Sequence, residues 1–249
     1  MCAARRLPTA RGALYLASDS VTPGFNGSAF EVDGNDHDLA GRLVSGAVKP
    51  GIATRNDTVT SAVEGQLNTS QIPSVRGLGY STNPLTPSVL SSGGPSVTDL
   101  NQIISDILAR PGVNTISSPN ITGGTTFGDL AHPQITHLTG TDVTLAGHVS
   151  GAGILIADGS IKITGNTDFV GWIIVRGETV INAATQDDTT VLGNATILGS
   201  LWTGDLNVTV GGSAIIDYSS AALAVADGID NGGYPVPKPM TITSWREVY

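Results

Sequence analysis

The sequence predicts a mainly β protein built as a parallel β-helix, or β-solenoid, and the strongest sign is a repeat. Residues 145–159 and 163–177 align at one fixed step, so that Gly153 falls on Gly171 along with two further glycine pairs. A fixed period with aligned glycines and apolar residues is typical of stacked coils. Charged residues make up only 13% of the chain, about half of the roughly 25% usual in globular proteins. We expect the solenoid to be right-handed.

The N-terminal third carries short strand signals within irregular sequence. Gly12–Ala17 is an apolar run, and Ser28–Asp33 alternates apolar and polar residues, as a half-buried strand does. The stretch that follows is rich in Gly, Pro, Ser and Thr. Within it, strands are expected at Val44–Val48 and Ile52–Thr54.

One strong helix is predicted, at residues 96–110. Ser96 and Asp99 have the spacing of a capping box, in which the serine accepts a hydrogen bond from a free backbone N–H of the first turn. Apolar residues then recur at helical spacing as far as Leu108, and Pro111-Gly112 ends the pattern. Because the open end of a solenoid needs a cover, the helix is expected to cap that end or to lie along the flank.

Strands follow one another closely from residue 135, where the solenoid is expected to begin. They are predicted at residues 135–138, 142–145, 153–157, 160–164, 172–175 and 179–182. Residues 186–189 are interpreted as an insertion between coils, because the step from Gly171 to Gly199 is longer than the step from Gly153 to Gly171. A last coil at 206–217, a short Ala-rich helix at 219–227 and a closing strand at 242–248 complete the series.

These elements predict one domain in four parts. The parts are a disordered tail (residues 1–11), an irregular N-terminal part with the capping helix (12–134), the β-solenoid (135–223) and a C-terminal closing segment (224–249). The core of such a fold is long and narrow, so a functional site is expected on its surface.

Charge and cysteine content argue against several classes of protein. The net charge is −9 at pH 7, and so acidic a chain binds phosphate backbones poorly, so no nucleic-acid partner is expected. The single cysteine, Cys2, allows neither an internal disulfide nor a thiolate metal cluster. No apolar run approaches the length of about 20 residues that crosses a bilayer, so no membrane span is expected in this chain. Residues 1–8 lack the apolar segment of a signal peptide.

Several segments occur together in a characteristic order: Gly12–Leu16, Phe30–His37, Val48–Ala53, Gly151–Gly165, Gly171–Gly177, Asn194–Leu201 and Ile216–Leu223. In these segments the chain resembles the soluble region of PilX-like type IV pilus assembly proteins and related large minor pilins. The resemblance covers most of residues 12–223. It implies a structural role, with pilin subunits or other surface proteins as partners. Members of that family begin with a hydrophobic anchoring helix, which this sequence lacks, and the implied location is extracellular or on the cell surface, on the periplasmic side.

A turn near the N-terminus is a candidate calcium site. Asp33, Asn35, Asp36 and Asp38 crowd hard oxygen ligands into a single short segment. A complete EF-hand loop would need a Glu at its twelfth position, where this chain has Val44. The alternative is a polar turn whose side chains bond their own backbone. No other cofactor is expected.

Catalysis is not expected. Polysaccharide-cleaving enzymes need convergent carboxylates, and the available ones share no evident face: Asp142, Asp158, Asp168, Asp187 and Asp188. The four histidines are scattered along the chain. Nucleophile-elbow, His-Glu-x-x-His and P-loop patterns do not occur.

Two tryptophans and one charge pair complete the candidate residues. Trp172 and Trp202 are candidates for a binding surface, with a role as core fillers as the alternative; outward rings would stack on sugars. Asp158 and Arg176 are separated by the same step as Gly153 and Gly171, so the repeat predicts a structural ion pair between adjacent coils. His148 is expected beside Asn166 for the same reason.

The sequence therefore predicts a non-enzymatic structural or interaction protein of the bacterial cell surface, associated with type IV pilus assembly or adhesion. One alternative is a β-helix that binds or cleaves carbohydrate, which makes glycans a second class of partner. The other alternative is a self-polymerising scaffold of the bactofilin kind, in which solenoids stack end to end.

Overall fold

Parallel strands dominate the structure. The computed structural model describes residues 7–26, 29–181, 194–209 and 213–231. Within these ranges the chain forms twenty strands, three α-helices and two short 3-10 turns. The prediction of a mainly β protein is confirmed.

The elements follow one another in an order close to the predicted one. The strands are β1 Leu14–Leu16, β2 Gly24–Asn26, β3 Phe30–Asp33, β4 Ile52–Thr54, β5 Val75–Arg76, β6 Ser81–Thr82, β7 Leu85–Thr86, β8 Val89–Ser91, β9 Asn114–Ile116, β10 Asn120–Thr122, β11 Thr125–Phe127, β12 Gln134–Leu138, β13 Asp142–Ala146, β14 His148–Ala157, β15 Ser160–Ile163, β16 Asn166–Val175, β17 Glu178–Ile181, β18 Asn194–Thr203, β19 Asp205–Thr209 and β20 Ser213–Tyr218. The helices are α1 Asp57–Gln66, α2 Val97–Leu108 and α3 Ser220–Asp227.

Two parallel sheets hold nearly all of these strands. The larger sheet has twelve strands in the order β5-β3-β20-β18-β16-β14-β12-β9, with β1, β4, β8 and β11 joined beside this path. The smaller sheet has the order β10-β13-β15-β17-β19-β2. Among the described strands, β6 and β7 alone pair in the antiparallel sense. From β12 to β20 the chain passes from one sheet to the other at each successive strand.

The register between strands follows the sequence repeat. β14 and β16 pair over their full length, with His148 beside Asn166 and Gly153 beside Gly171, as the predicted step requires. β16 and β18 pair with Gly171 beside Gly199, which is the longer step. The insertion predicted at 186–189 lies outside the described residues.

The N-terminal strands extend the same two sheets. β1 pairs with β18, β2 with β19 and β3 with β20. β4 then adds to β1, β5 to β3, and β8 to β4. The sheets therefore show no boundary at residue 135. Six strands of the part predicted to be irregular, β1–β5 and β8, extend the two sheets beyond β18, β19 and β20.

Side chains alternate between two apolar clusters on the two faces of the larger sheet. One register row of the first cluster contains Leu155, Ile173, Leu201, Leu14 and Ile52. The neighbouring row belongs to the second cluster and contains Ile156, Ile174, Trp202, Tyr15 and Ala53. The first cluster also includes inward residues of the smaller sheet, so it lies between the two sheets.

Helix α2 confirms the predicted helix and covers the second cluster. Its capping box is formed: Asp99 N donates to Ser96 Oγ at 3.1 Å, and Ser96 N donates to Asp99 Oδ2 at 2.9 Å. Leu100, Ile104 and Ile107 are buried in the same cluster as side chains of β12, β14, β16 and β18. The helix therefore lies along the flank of the stack, which is the second of its two predicted positions.

Three local predictions have different outcomes. The Ala-rich helix is confirmed as α3. The predicted strand Val44–Val48 is wrong, because this segment forms an exposed loop without a strand partner. The predicted disorder of residues 1–11 is wrong for the part that the structure describes, since Ala10 is buried and Leu7 N donates to Asp227 Oδ1 at 3.2 Å. Residues 1–6 and the closing strand predicted at 242–248 lie outside the described residues.

Candidate interaction surface

The turn predicted to bind calcium uses its carboxylates as hydrogen-bond acceptors. Asp33 Oδ1 accepts from Asn35 N and Asn35 Nδ2 at 2.8 and 2.7 Å. Asp38 Oδ1 accepts from Ala40 N and Arg42 N, both at 2.9 Å. These bonds, led by the one from Arg42 N, lower the pKa of Asp38. Both side chains thus stabilise local turns, as the alternative to calcium predicts.

Asp36 connects the same turn to helix α3. Its Oδ1 accepts from Ser220 N at 2.8 Å, and its Oδ2 accepts from Ser220 Oγ at 2.7 Å. Ser219 Oγ donates to His37 O at 2.7 Å, completing the connection. Within the described ranges, no three His, Cys, Asp or Glu side chains are grouped to hold a metal ion. The structure therefore does not assemble the four predicted calcium ligands around one point.

A loop that follows this turn exposes an unusual number of apolar side chains. We call residues 39–48 the apolar loop; every residue in it is exposed. Leu39, Leu43, Val44 and Val48 have exposed fractions of 41, 65, 44 and 48%. Leu78, which follows β5, is 51% exposed, and its backbone N–H donates to the carbonyl oxygen of Lys49, the residue after Val48. Clustered exposed apolar side chains mark an interaction surface far more often than isolated ones do.

The apolar loop is fixed at its base rather than free. Val44 N donates to Asp36 O at 2.9 Å, and Lys49 N donates to Gly34 O at 2.8 Å. Asp38 N donates to Arg42 O, while Gly41 N donates to Asp38 O. His37 N donates to Tyr218 O at 3.0 Å, which attaches the turn to the end of β20. A loop held in one conformation loses less entropy on binding than a flexible one.

The charged residues of the segment from the start of the apolar loop to Lys49 are basic, although Asp38 immediately precedes the segment and the whole chain is acidic. The segment 39–49 contains Arg42 and Lys49 and no acidic residue, whereas the net charge of the protein is −9. A partner surface that is apolar with acidic groups at its edge would match this segment, because opposite charges at the rim of an interface favour correct encounter.

Trp172 and Trp202 do not form a binding surface. Their exposed fractions are 1% and 0%, and their rings meet edge to face at a centroid distance of 4.9 Å. Tyr15 adds a second edge contact to Trp202 at 5.1 Å. Burial raises the pKa of Tyr15 to about 12, and its hydroxyl donates to Pro95 O at 2.6 Å. The two indoles fill the second apolar cluster, so neither ring is available to stack on a sugar.

The predicted pair of Asp158 and Arg176 is formed. Arg176 Nη1 lies 3.4 Å from Asp158 Oδ1, and each side chain is 32% exposed. His137 joins the pair, with its Nε2 2.9 Å from Asp158 Oδ2. The group connects three neighbouring chain segments and has the structural role that the repeat predicts.

The remaining carboxylates named as candidates do not come together in the described residues. Asp142 belongs to the smaller sheet, in register with Ser160, and Asp168 belongs to the larger sheet, in register with Ser150 and Thr196. Asp187 and Asp188 lie outside the described residues.

No helix in the described ranges is long and apolar enough to cross a membrane.

Comparisons with known protein families, with curated proteins and with solved structures find no match to this chain.

The apolar loop is not among the predicted elements, although the sequence carries a local signal for a loop at this position. The run Leu-Val-Ser-Gly-Ala-Val at 43–48 lacks the alternation of a half-buried strand and contains Gly46, whose position leaves no room for a Cβ beside the side chain of Asp36.

Proposed function

We propose that this protein is a right-handed β-solenoid and that it is not an enzyme. It acts as a structural interaction protein at the bacterial cell surface, in association with type IV pilus assembly or adhesion. Its partner is a pilin subunit, bound through the apolar loop. The observation that carries this proposal is the exposure of Leu39, Leu43, Val44 and Val48 on one loop that backbone hydrogen bonds anchor at its base.

The register of the two sheets supports a solenoid. Parallel strands that follow the sequence repeat, with a sheltered apolar cluster between the sheets, are what stacked coils produce. A stack of this kind holds the loops at its end in fixed positions. The resemblance of residues 12–223 to PilX-like proteins supports the pilus as the setting.

The two alternatives receive unequal support. Carbohydrate binding through Trp172 and Trp202 has lost its basis, because both rings are buried. Self-polymerisation would use the strand edges at the two ends of the stack, whereas the exposed apolar side chains lie on the apolar loop. Interaction through the apolar loop is therefore the function that the geometry supports best.

Site-specific photo-crosslinking in piliated cells that produce this protein tests the proposal. A photoreactive phenylalanine replaces Leu43 in the apolar loop, and a matched control replaces Thr126, which is exposed on β11 at the far side of the larger sheet. We expect an adduct with a pilin subunit, identified by mass spectrometry, from position 43 and not from position 126. Adducts with the same proteins from both positions, or no pilin adduct from position 43, would contradict the proposal.

A further inference from the structure

The two ends of the stack of strands are built differently. At the end formed by β4, β5 and β8, helix α1 packs on β4 and β8, and its Val59 and Val63 are fully buried in the first apolar cluster. Gln71 Nε2 donates to Phe25 O at 2.8 Å, which occupies a backbone carbonyl of β2, the outermost strand of the smaller sheet. We call this the closed end, because a helix and a side chain cover it.

At the opposite end, three strands expose their outer edges. β9, β10 and β11 pair on one side only, with β12, β13 and β14 respectively, and no other described strand pairs with them. Most residues of the segment 114–126 are exposed. The edges belong to both sheets, since β10 is part of the smaller sheet and β9 and β11 are part of the larger one. We call this the open end.

Backbone N–H groups of β10 point away from the stack. Gly123 N donates at 3.2 Å to the carbonyl oxygen of the last residue of β13. Because successive residues of a strand turn their backbone groups to opposite sides, the N–H groups of Thr122 and Asn120 lie on the outer edge. The carbonyl oxygens of these two residues accept from the hydroxyls of Thr125 and Ser118 at 3.1 and 2.7 Å, and each keeps a second lone pair. A further strand can therefore bind to this edge.

The open end lacks the charges that usually protect an edge strand. Residues 111–128 contain no Asp, Glu, Lys, Arg or His, although the net charge of the chain is −9. Edge strands are commonly protected by charged side chains, by proline or by a cover, and Pro119 is the only proline between the start of β9 and the end of β11. Two copies of an acidic protein repel one another wherever their charged surfaces meet. At this neutral end that repulsion is smallest.

The open end has the form of a step. β11 and β12 both pair with β14, over its N-terminal half and its C-terminal half respectively, and β9 adds to β12. β9 therefore stands one strand further out than β11. A two-fold axis across the middle of β10 places β9 of one copy against β11 of the other in the antiparallel sense, so the raised half of each end meets the lowered half of the other. β10 then pairs with its own counterpart.

This shape selects a second copy as the partner. A single added strand from another protein covers one of the three edges and leaves two exposed, whereas a second open end covers all three. Ile116, which is partly exposed and packs against the first apolar cluster, is covered in the same contact. The end is thus complementary to itself in shape, in hydrogen-bonding groups and in its lack of charge.

We propose that two copies of this chain associate through their open ends as a two-fold dimer, in which β9 pairs with β11 of the other copy and β10 pairs with its counterpart. A head-to-tail filament would need free strand edges at both ends of the stack. Helix α1 occupies the closed end, so association stops at the dimer.

The dimer leaves both apolar loops free. The loop precedes β4, and β4 is separated from β9 by β12, β14, β16, β18 and β1. Six strand spacings of about 4.8 Å place β4 about 30 Å from β9. The two loops therefore lie toward the opposite outer ends of the dimer. The meaning of this arrangement rests on the proposed function, in which the dimer would hold two pilin subunits, but the dimer itself forms without a pilin.

Sedimentation velocity of the purified protein tests the dimer. We expect a species of about 51 kDa, twice the chain mass of 25.4 kDa. Asn120→Asp with Thr122→Asp places four like charges across the two-fold axis and should weaken association at least about 100-fold. Thr58→Asp with Ser61→Asp adds the same charge at exposed positions of α1, at the closed end. This control should sediment as the wild-type dimer, and circular dichroism checks that both variants are folded.

A single cysteine gives an independent test that adds no charge. In a Cys2→Ser background, Thr122→Cys places two thiols near the two-fold axis, and a short bismaleimide should link two copies. Thr58→Cys in the same background is the matched control and should give no linked dimer. Electrophoresis under reducing conditions shows the product, because the maleimide linkage is not reduced.

Three results would overturn the dimer. One is a wild-type protein that sediments as a monomer at high concentration and is not linked through position 122. Another is a folded Asn120→Asp, Thr122→Asp variant that associates as strongly as the wild type. The third is an assembly larger than a dimer that the closed-end variant disrupts, which would indicate head-to-tail stacking. None of these measurements contains a pilin, so a failed crosslink at position 43 and a failed dimer are distinguishable.

Discussion

Gly199 lies against Gly171, its register partner on the next strand, so closely that a Cβ at position 199 would overlap the carbonyl oxygen of Gly171. Gly171 stands in the same relation to Gly153. All three have positive φ, between 122 and 140°, a region that residues with a side chain rarely adopt. This column of glycines allows the long strands β14, β16 and β18 to stack without a gap at their midpoints.

Gly171→Ala is therefore expected to destabilise the protein strongly. The new methyl group meets backbone atoms that cannot move aside and also requires an unfavourable φ, so the loss should reach about 3 kcal/mol or more. Gly65→Ala is the matched control, because Gly65 lies in helix α1 with open space around it. The control should be neutral or stabilising by up to about 1 kcal/mol. Urea unfolding of both variants gives the comparison, and equal losses would argue against the glycine column.

Trp202→Ala should destabilise the fold and leave any surface recognition unchanged. The side chain is fully buried between the rings of Trp172 and Tyr15, and removing a buried aromatic of this size costs about 3–5 kcal/mol. Unfolding followed by circular dichroism measures the loss. A variant with wild-type stability and altered binding to a glycan array would instead place the indole on the surface.

The capping box of helix α2 makes a smaller, local contribution. Ser96→Ala removes the acceptor for Asp99 N, and the loss of an N-cap serine typically costs about 1 kcal/mol. Ser96→Thr keeps a hydroxyl that accepts from Asp99 N and donates to Asp99 Oδ2, so it should recover most of that loss. Thermal unfolding of the two variants provides the measurement, with failure of the threonine to restore stability as the contrary result.

The ion pair between Asp158 and Arg176 should contribute little. Each side chain is 32% exposed, and exposed pairs are worth about 0–1 kcal/mol because water screens them. A double-mutant cycle with Asp158→Asn and Arg176→Gln measures the coupling energy, which should decrease further in concentrated salt. A coupling above about 2 kcal/mol that resists salt would show that the pair is effectively buried.

The repeat makes part of the fold predictable, because it is a local signal. Residues one repeat apart become register neighbours, so the sequence alone assigns Gly153 to Gly171 and Asp158 to Arg176. The longer step from Gly171 to Gly199 is readable for the same reason.

The pairing of the chain's two ends is not predictable, because it leaves no periodic trace. β1 and β3 are recognisable as strands, but nothing in Leu14–Leu16 or Phe30–Asp33 specifies β18 and β20 as partners. Helix α1 escapes prediction because Thr, Val and Gly are poor helix formers; Asn56, whose Oδ1 accepts from Val59 N at 2.9 Å, is the available signal. The apolar loop has a local signal, the missing strand alternation at 43–48, but its attachment to the end of β20 depends on the same unpredictable pairing.

The central claim is that the N-terminal strands continue the stack on β20, because that contact forms the base of the apolar loop. A cysteine pair tests it: Glu31→Cys with Ile215→Cys, in a Cys2→Ser background that has no other thiol. Parallel neighbours are about 4.8 Å apart, within the range that a disulfide spans. The control pairs Glu31→Cys with Thr196→Cys, which is one strand further away.

We expect oxidation to form a disulfide in the first variant and none within the control chain, as seen by non-reducing electrophoresis and peptide mass spectrometry. A disulfide in both variants, or none between positions 31 and 215, would contradict the stacking of β3 on β20.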